Sequence, residues 1–91
     1  MLRFDPEPAE AYRRLRKDDA QAELFRQVRE VCAQLDADHG QNHLRRHRFA
    51  APPLWYVTVR DRTDAWVILW EKWPGDAADA VVRYLGPASF A

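Results

Sequence analysis

The chain reads LWYVTVR at residues 54–60, AWVILWEKW at residues 65–73 and AVVRYL at residues 80–85. Each run is rich in β-branched and aromatic residues, and together the runs carry all four tryptophans. Only short turn-like segments separate them, and the second contains Pro74-Gly75-Asp76. Strands joined through such short turns pair as an antiparallel meander. This region therefore predicts a sheet built from strands that are neighbours in sequence.

The alternation of side chains along a strand predicts which face of the sheet each residue occupies. In the run 65–73, Trp66, Ile68 and Trp70 share one face, and the residues between them are also apolar. Apolar side chains on both faces indicate a central strand. We expect Trp66 and Trp70 to belong to the core beneath the helices. Tyr56 and Trp73 are the candidates for aromatic side chains on the opposite, outer face.

The first half of the chain has the pattern of two helices. Leu24, Val28, Val31 and Leu35 recur at the spacing of one helix face, and Gly40 follows where this helix would end. A shorter helix is expected at about residues 7–17, after a candidate strand at residues 2–4. The short link between the helices predicts an antiparallel helical hairpin.

These elements predict an α+β fold, in which an N-terminal helical hairpin packs on a small antiparallel sheet of three to four strands. Residues 1–91 are expected to form a single domain, because a chain of this length has no room for a second core. The single cysteine, Cys32, excludes an intrachain disulfide, and its place on the apolar side of the second helix predicts a buried thiol.

The charge of the chain is balanced overall but uneven along its length. The formal net charge is zero, which argues against bulk attraction to nucleic acid or to an anionic membrane. Residues 1–40 carry 7 Lys/Arg against 9 Asp/Glu, whereas residues 41–91 carry 7 against 5. We therefore expect an acidic or nucleic-acid partner on the sheet half. No apolar stretch approaches 18 residues and no signal pattern is present, so a cytoplasmic location without membrane contact is the default expectation.

A basic segment lies just before the sheet. Its side chains could hold phosphates through arginine forks and histidines suited to proton transfer. Alternatively, the segment is a solvated connector that happens to be polar. Two histidines four residues apart lack a third ligand nearby, so neither a metal site nor a cofactor is expected. The residues of this cluster are His43, Arg45, Arg46, His47 and Arg48.

Three further arginines, Arg60, Arg62 and Arg83, lie in or next to the predicted strands. Across adjacent strands they could converge with Arg48 on a concave surface. Equally, each could pair with a nearby carboxylate on the surface, where such pairs contribute little stability. The sequence leaves both arrangements open.

The order of these elements resembles the RelE/ParE superfamily of small bacterial toxins. The resemblance extends over nearly the whole chain and is carried by RFDPEPAEAYRRLR at residues 3–16, NHLRRH at 42–47, LWYVTVRD at 54–61, AWVILWE at 65–71 and VVRYLG at 81–86. It implies a short first strand that joins a three-stranded meander. It also implies a toxin of a type II toxin–antitoxin pair, neutralised by a cognate antitoxin, with ribosome-bound mRNA or gyrase as its target.

The chain departs from the mRNA-cleaving members at one catalytic position. Those proteins usually carry a tyrosine–arginine pair where this chain has Trp66-Val67, and no charged residue follows Arg83. The resemblance therefore leaves open a ribosome-dependent endoribonuclease with an incomplete catalytic set, or a non-catalytic member of the same fold. The latter would act by binding gyrase or another protein, or would be a stand-alone interaction module. A homodimer formed by strand addition at an exposed sheet edge also stays open.

For the endoribonuclease, we expect the catalytic residues to be His47, Arg60 and Arg83, with cations stabilising the transition state and a histidine acting as acid or base. The remaining candidates are expected to contact RNA or a protein partner: His43, Arg45, Arg46, Arg48, Arg62, Tyr56 and Trp73.

Overall fold

A computed structural model describes residues 1–48, 53–61 and 64–88. It contains two helices and five strands, together with short 3₁₀ turns at Asp19–Gln21 and Asn42–Leu44. In chain order the elements are β1 (Leu2–Phe4), α1 (Pro6–Arg16), α2 (Ala22–Asp38), β2 (His47–Arg48), β3 (Trp55–Arg60), β4 (Ala65–Trp73) and β5 (Asp76–Pro87).

The five strands form one mixed sheet in the order β1-β5-β4-β3-β2. The predicted α+β class and the antiparallel β3–β4–β5 meander are confirmed. The sheet has five strands rather than three or four, because β1 joins one edge parallel to β5 and β2 joins the other edge antiparallel to β3. A two-residue strand such as β2 has no alternation that could distinguish it from a connector.

Local sequence explains where the helices begin. α1 follows Asp5 and has prolines at its first and third positions, where a missing N–H costs nothing. The side chain of Asp18 accepts a hydrogen bond from the Ala20 N–H at 3.1 Å. Asp18 therefore caps the 3₁₀ turn, and α2 begins later, at Ala22. The buried stripe of α2 consists of Leu24, Val28, Cys32 and Leu35.

Trp70 lies at the centre of the core between α2 and the sheet. Its side chain is fully buried, and its indole Nε1 donates to the Leu44 carbonyl oxygen at 3.1 Å. The ring of Trp55 stacks on it at a centroid distance of 4.8 Å. Trp70 is thus a core residue, as predicted, while Trp66 is partly buried against the same cluster.

Side chains of α2 form hydrogen bonds with main-chain groups near both edges of the sheet. The amide of Gln27 donates to the Arg60 carbonyl and accepts from the Arg60 N–H, so it binds the free edge of β3. Nine residues further along α2, a carboxylate oxygen of Asp36 accepts from the Leu2 N–H of β1 at 2.7 Å. One helix therefore satisfies backbone groups on two opposite edges, which blunts both against strand addition.

The outer face of the sheet, turned away from the helices, is partly closed by its own side chains. Val67 and Val81 are buried on this face, each only 1% exposed. Tyr84 leans over Gly86 and donates its hydroxyl to the Pro87 carbonyl at 3.0 Å. A Cβ at Gly86 would come within 2.8 Å of that hydroxyl, so glycine permits the tyrosine to lie flat. Among the described residues, no helix is long and apolar enough to cross a membrane.

Candidate functional site

A row of four side chains crosses the outer face from β2 to β5. The strand registers place His47 opposite Tyr56, Tyr56 opposite Leu69, and Leu69 opposite Tyr84. The rings of His47 and Tyr56 are stacked, with centroids 5.2 Å apart and planes inclined by 22°. His47 is exposed and Tyr56 is half-buried. The row therefore ends, at the β2 edge, in a histidine whose orientation is set by an aromatic neighbour.

The basic segment is held in place rather than being a loose connector. Leu44 is fully buried, and its carbonyl is bound by Trp70. The guanidinium of Arg45 donates from Nε to the His39 carbonyl oxygen and from Nη2 to His39 Nδ1, both at 2.9 Å. His43 Nε2 lies 2.6 Å from the Gln34 side-chain oxygen. The segment thus presents its remaining side chains from a fixed backbone.

The partners of His39 determine its tautomer. Nε2 faces the carbonyl oxygens of Ala77 and Ala78 at 3.0 and 3.2 Å, and carbonyls only accept. Nδ1 faces Arg45, which only donates. These contacts therefore fit the tautomer that carries its proton on Nε2, and the ring links the end of α2 to the beginning of β5.

Arg46 and Arg48 are two available cations at the β2 edge. Both are exposed, and neither has an ion-pair partner within residues 1–48, 53–61 and 64–88. Since successive residues of a strand point to opposite faces, Arg48 lies on the side away from His47. Its guanidinium carbon lies 4.6 Å from the centre of the Trp55 ring.

Arg83 lies at a bulge in β5, where the register with β4 shifts, and its charge is already paired. Its Nε donates to Glu71 at 2.9 Å and its Nη1 to Asp5 at 3.1 Å. The hydrogen bond with Glu71 is the largest cause that raises the pKa of Arg83 above its usual value. Two carboxylates therefore neutralise this guanidinium, and its side chain is only 28% exposed.

Arg60 lies at the opposite end of β3 from the histidine row. Four residues separate it from Tyr56, which corresponds to about 13 Å along an extended strand. The structure does not bring Arg48, Arg60 and Arg83 together: they occupy the β2 edge, the far end of β3 and the middle of β5. Arg62 lies outside the described residues. The catalytic roles of His47, Arg60 and Arg83 stay predictions.

The aromatic candidate Trp73 is half-buried on the outer face, and cations approach its ring. The guanidinium carbons of Arg3 and Arg83 lie 4.7 and 5.9 Å from its centre. Trp73 therefore contributes to a surface cluster near the β4–β5 turn. Tyr56, in contrast, lies within the row that contains His47.

A cleft of about 400 Å³ opens beside the β2 edge. The sequence predicts Arg45 and Arg48 as binding residues but gives no pattern that places Lys72 beside them, and only the β2–β3 register places Arg48 opposite Trp55. In the described part of the chain, no group of three or more metal-ligating side chains comes together. The cleft is lined by Arg45, Arg48, Pro53, Trp55, Glu71 and Lys72.

The helical hairpin, the β3–β4–β5 meander and the parallel β1 define the RelE-like α+β fold. A solved structure of the E. coli toxin RelE, a variant with two arginines replaced by alanine in the free state, matches with a TM-score of 0.69 and 12% sequence identity. The match covers 100% of this chain and 85% of that chain. At this identity the similarity establishes the fold. No protein-family model and no curated protein matches the sequence.

Proposed function

We propose that this chain is the toxin of a toxin–antitoxin pair and that it cleaves RNA at the β2 edge of the outer face. The observation that carries the proposal is the stack of His47 on Tyr56, beside the exposed residue Arg46, which has no ion-pair partner within the described residues. The RelE-like fold supports it, because the aligned RelE structure is that of a toxin.

The proposed reaction uses the RNA's own 2′-hydroxyl as the nucleophile. His47 removes the hydroxyl proton while the 2′-oxygen forms a bond to phosphorus, and the bond from phosphorus to the 5′-oxygen breaks. A water molecule gives a proton to the leaving 5′-oxygen and takes the proton held by His47, which leaves a 2′,3′-cyclic phosphate and a 5′-hydroxyl. Arg46, the neighbouring exposed cation, stabilises the negative charge that develops on the phosphoryl oxygens.

The proposed protein partner is an antitoxin that presents acidic side chains to the same edge. Arg46 and Arg48 are the cations that carboxylates of such a segment would meet, since Arg83 is already paired with Glu71 and Asp5. Binding there would cover His47 and block access of RNA. Ribosome-bound mRNA is the proposed substrate.

The test uses purified protein and translating ribosomes. We expect the wild-type chain to cut the message, His47→Gln to abolish cutting, and both proteins to show the same thermal unfolding. Arg16→Gln serves as a control, because Arg16 is exposed on α1 far from the β2 edge in sequence and fold. Messages that stay intact with the wild-type protein would contradict the nuclease proposal, and full cutting by His47→Gln would reject its residue assignment.

Several arginines lie far apart in the fold and do not form one catalytic group. This arrangement favours a second function, which is toxicity through protein binding alone. Arg83 is neutralised and Arg60 lies about 13 Å along β3 from the row that contains His47. A gyrase-type target would then replace RNA. Growth arrest on induced expression, with intact messages and inhibited supercoiling by purified gyrase, would select this alternative.

A further inference from the structure

We propose that the cleft beside the β2 edge is a phosphate-binding site, which receives a backbone phosphate of the RNA strand next to the one at His47. This inference rests on the proposed function and adds a second contact to it. Its chemical basis is a group of three cations, Arg45, Arg48 and Lys72, around one opening.

The charge balance of the cleft favours an anion. Of its lining residues three are cationic and one, Glu71, is acidic. The carboxylate of Glu71 already accepts a hydrogen bond from Arg83 Nε at 2.9 Å, so it offsets a charge outside the cleft. The three cations of the cleft therefore lack a matching anion within the described residues.

The geometry leaves donors available for a phosphate. The guanidinium carbons of Arg45 and Arg48 lie 4.8 and 4.6 Å from the centre of the Trp55 ring. Contact with a ring face leaves the in-plane N–H groups of a guanidinium free to bind phosphate oxygens. Arg45 uses Nε and Nη2 on His39, which fixes the group and leaves Nη1. Lys72 is exposed and adds a mobile ammonium group.

The surroundings favour a backbone phosphate over a stacked base. The Trp55 ring already contacts Trp70 and two guanidiniums, so it does not offer a free face to a base. His47 and Arg48 are consecutive residues on opposite sides of β2, and their Cα atoms are separated by about 3.8 Å. A nucleic-acid strand that passes over this short edge would meet His47 on one side and the cleft on the other.

The experiment measures binding of a short, uncleavable 2′-O-methyl RNA by fluorescence anisotropy over a series of salt concentrations. Each phosphate contact with single-stranded nucleic acid contributes about 0.7 to the slope of log K against log salt. We expect Lys72→Met to weaken binding several-fold and to reduce the slope by about 0.7. Lys17→Met, at the only other lysine of the chain, should change neither quantity.

The outcomes separate this inference from the proposed function. Equal slopes for Lys72→Met and Lys17→Met, together with RNA cutting by the wild-type protein, would reject the phosphate site and leave the function intact. A Lys72-dependent slope without RNA cutting would support the phosphate site and reject the nuclease. A labelled polyglutamate peptide that shows Lys72-dependent binding, when the RNA shows none, would overturn the inference in favour of an acidic protein partner.

Discussion

The side-chain amide of Gln27 binds both main-chain groups of Arg60, in the way that a neighbouring strand would. The contact closes the free edge of β3 beyond the two residues that β2 covers. Strand addition at this edge would need the backbone groups of Arg60, which Gln27 already occupies. The contact therefore disfavours a homodimer formed in this way.

We predict that Gln27→Ala will open this edge and promote self-association. The loss of two hydrogen bonds at an exposed site should lower the free energy of unfolding by only about 1 kcal/mol. The main effect should be a concentration-dependent rise in mass, measured by light scattering during size-exclusion chromatography. Gln34→Ala is the matched control, since Gln34 lies on the same helix but contacts His43. A Gln27→Ala protein of constant mass would contradict this role of Gln27.

Trp70→Phe should destabilise the core. The substitution removes the indole N–H that binds the Leu44 carbonyl and leaves that buried acceptor without this partner. We expect a loss of about 2 kcal/mol in the free energy of unfolding, measured by urea denaturation. Trp73→Phe, at a half-buried position on the outer face, should cost less. Equal losses for the two variants would argue against the bond to Leu44 as the cause.

Cys32 should resist alkylation in the folded protein. Burial raises the pKa of its thiol from 9.0 to about 12, so the reactive thiolate is scarce near neutral pH. Iodoacetamide at pH 8 should therefore modify the thiol only as fast as the chain opens, and added urea should accelerate the reaction.

The same shift predicts a loss of stability at alkaline pH. The pKa of the Cys32 thiol is higher in the folded state than in the unfolded state. The contribution of this thiol to the free energy of unfolding is therefore fully present below pH 9 and declines as pH rises towards about 12. Cys32→Ala should lose less stability than the wild type between these limits, as followed by urea unfolding. An unchanged alkaline profile in Cys32→Ala would show that another group dominates.

Arg83 should contribute to stability through Glu71. A double-mutant cycle with Arg83→Gln and Glu71→Gln should give a coupling energy of about 1 kcal/mol, because both side chains are about two-thirds buried. The exposed pair Arg26 and Glu23 provides the comparison, and its coupling energy should be smaller because solvent screens both charges. A coupling near zero for Arg83, with loss of RNA cutting, would instead favour the catalytic role considered for this residue.

Much of the fold could be predicted because its signals repeat along the sequence. The buried stripe of α2 recurs over three turns, and alternation over six residues or more placed Tyr56 on the outer face. Two-residue β2 carries no such repeat, so its pairing with β3 could not be predicted. The count of five strands and the position of Arg48 opposite Trp55 both depend on that pairing.

The sequence predicts which residues belong to the candidate site better than it predicts how they are arranged. His47 and Tyr56 were both candidates, but their stacking follows from the register of β2. The pairing of Arg83 with Glu71 depends on a bulge in β5, which shifts the register by one residue. No sequence pattern marks Lys72 as a binding residue, because only the fold places it beside the other cations of the cleft.

The two contacts made by α2 relate the length of this helix to the width of the sheet. Gln27 and Asp36 are nine residues apart, which corresponds to about 13.5 Å along a helix. The strands they bind, β3 and β1, are separated by three inter-strand steps of about 4.8 Å each. Insertion of another strand between these two would therefore require roughly three additional helical residues for both contacts to survive.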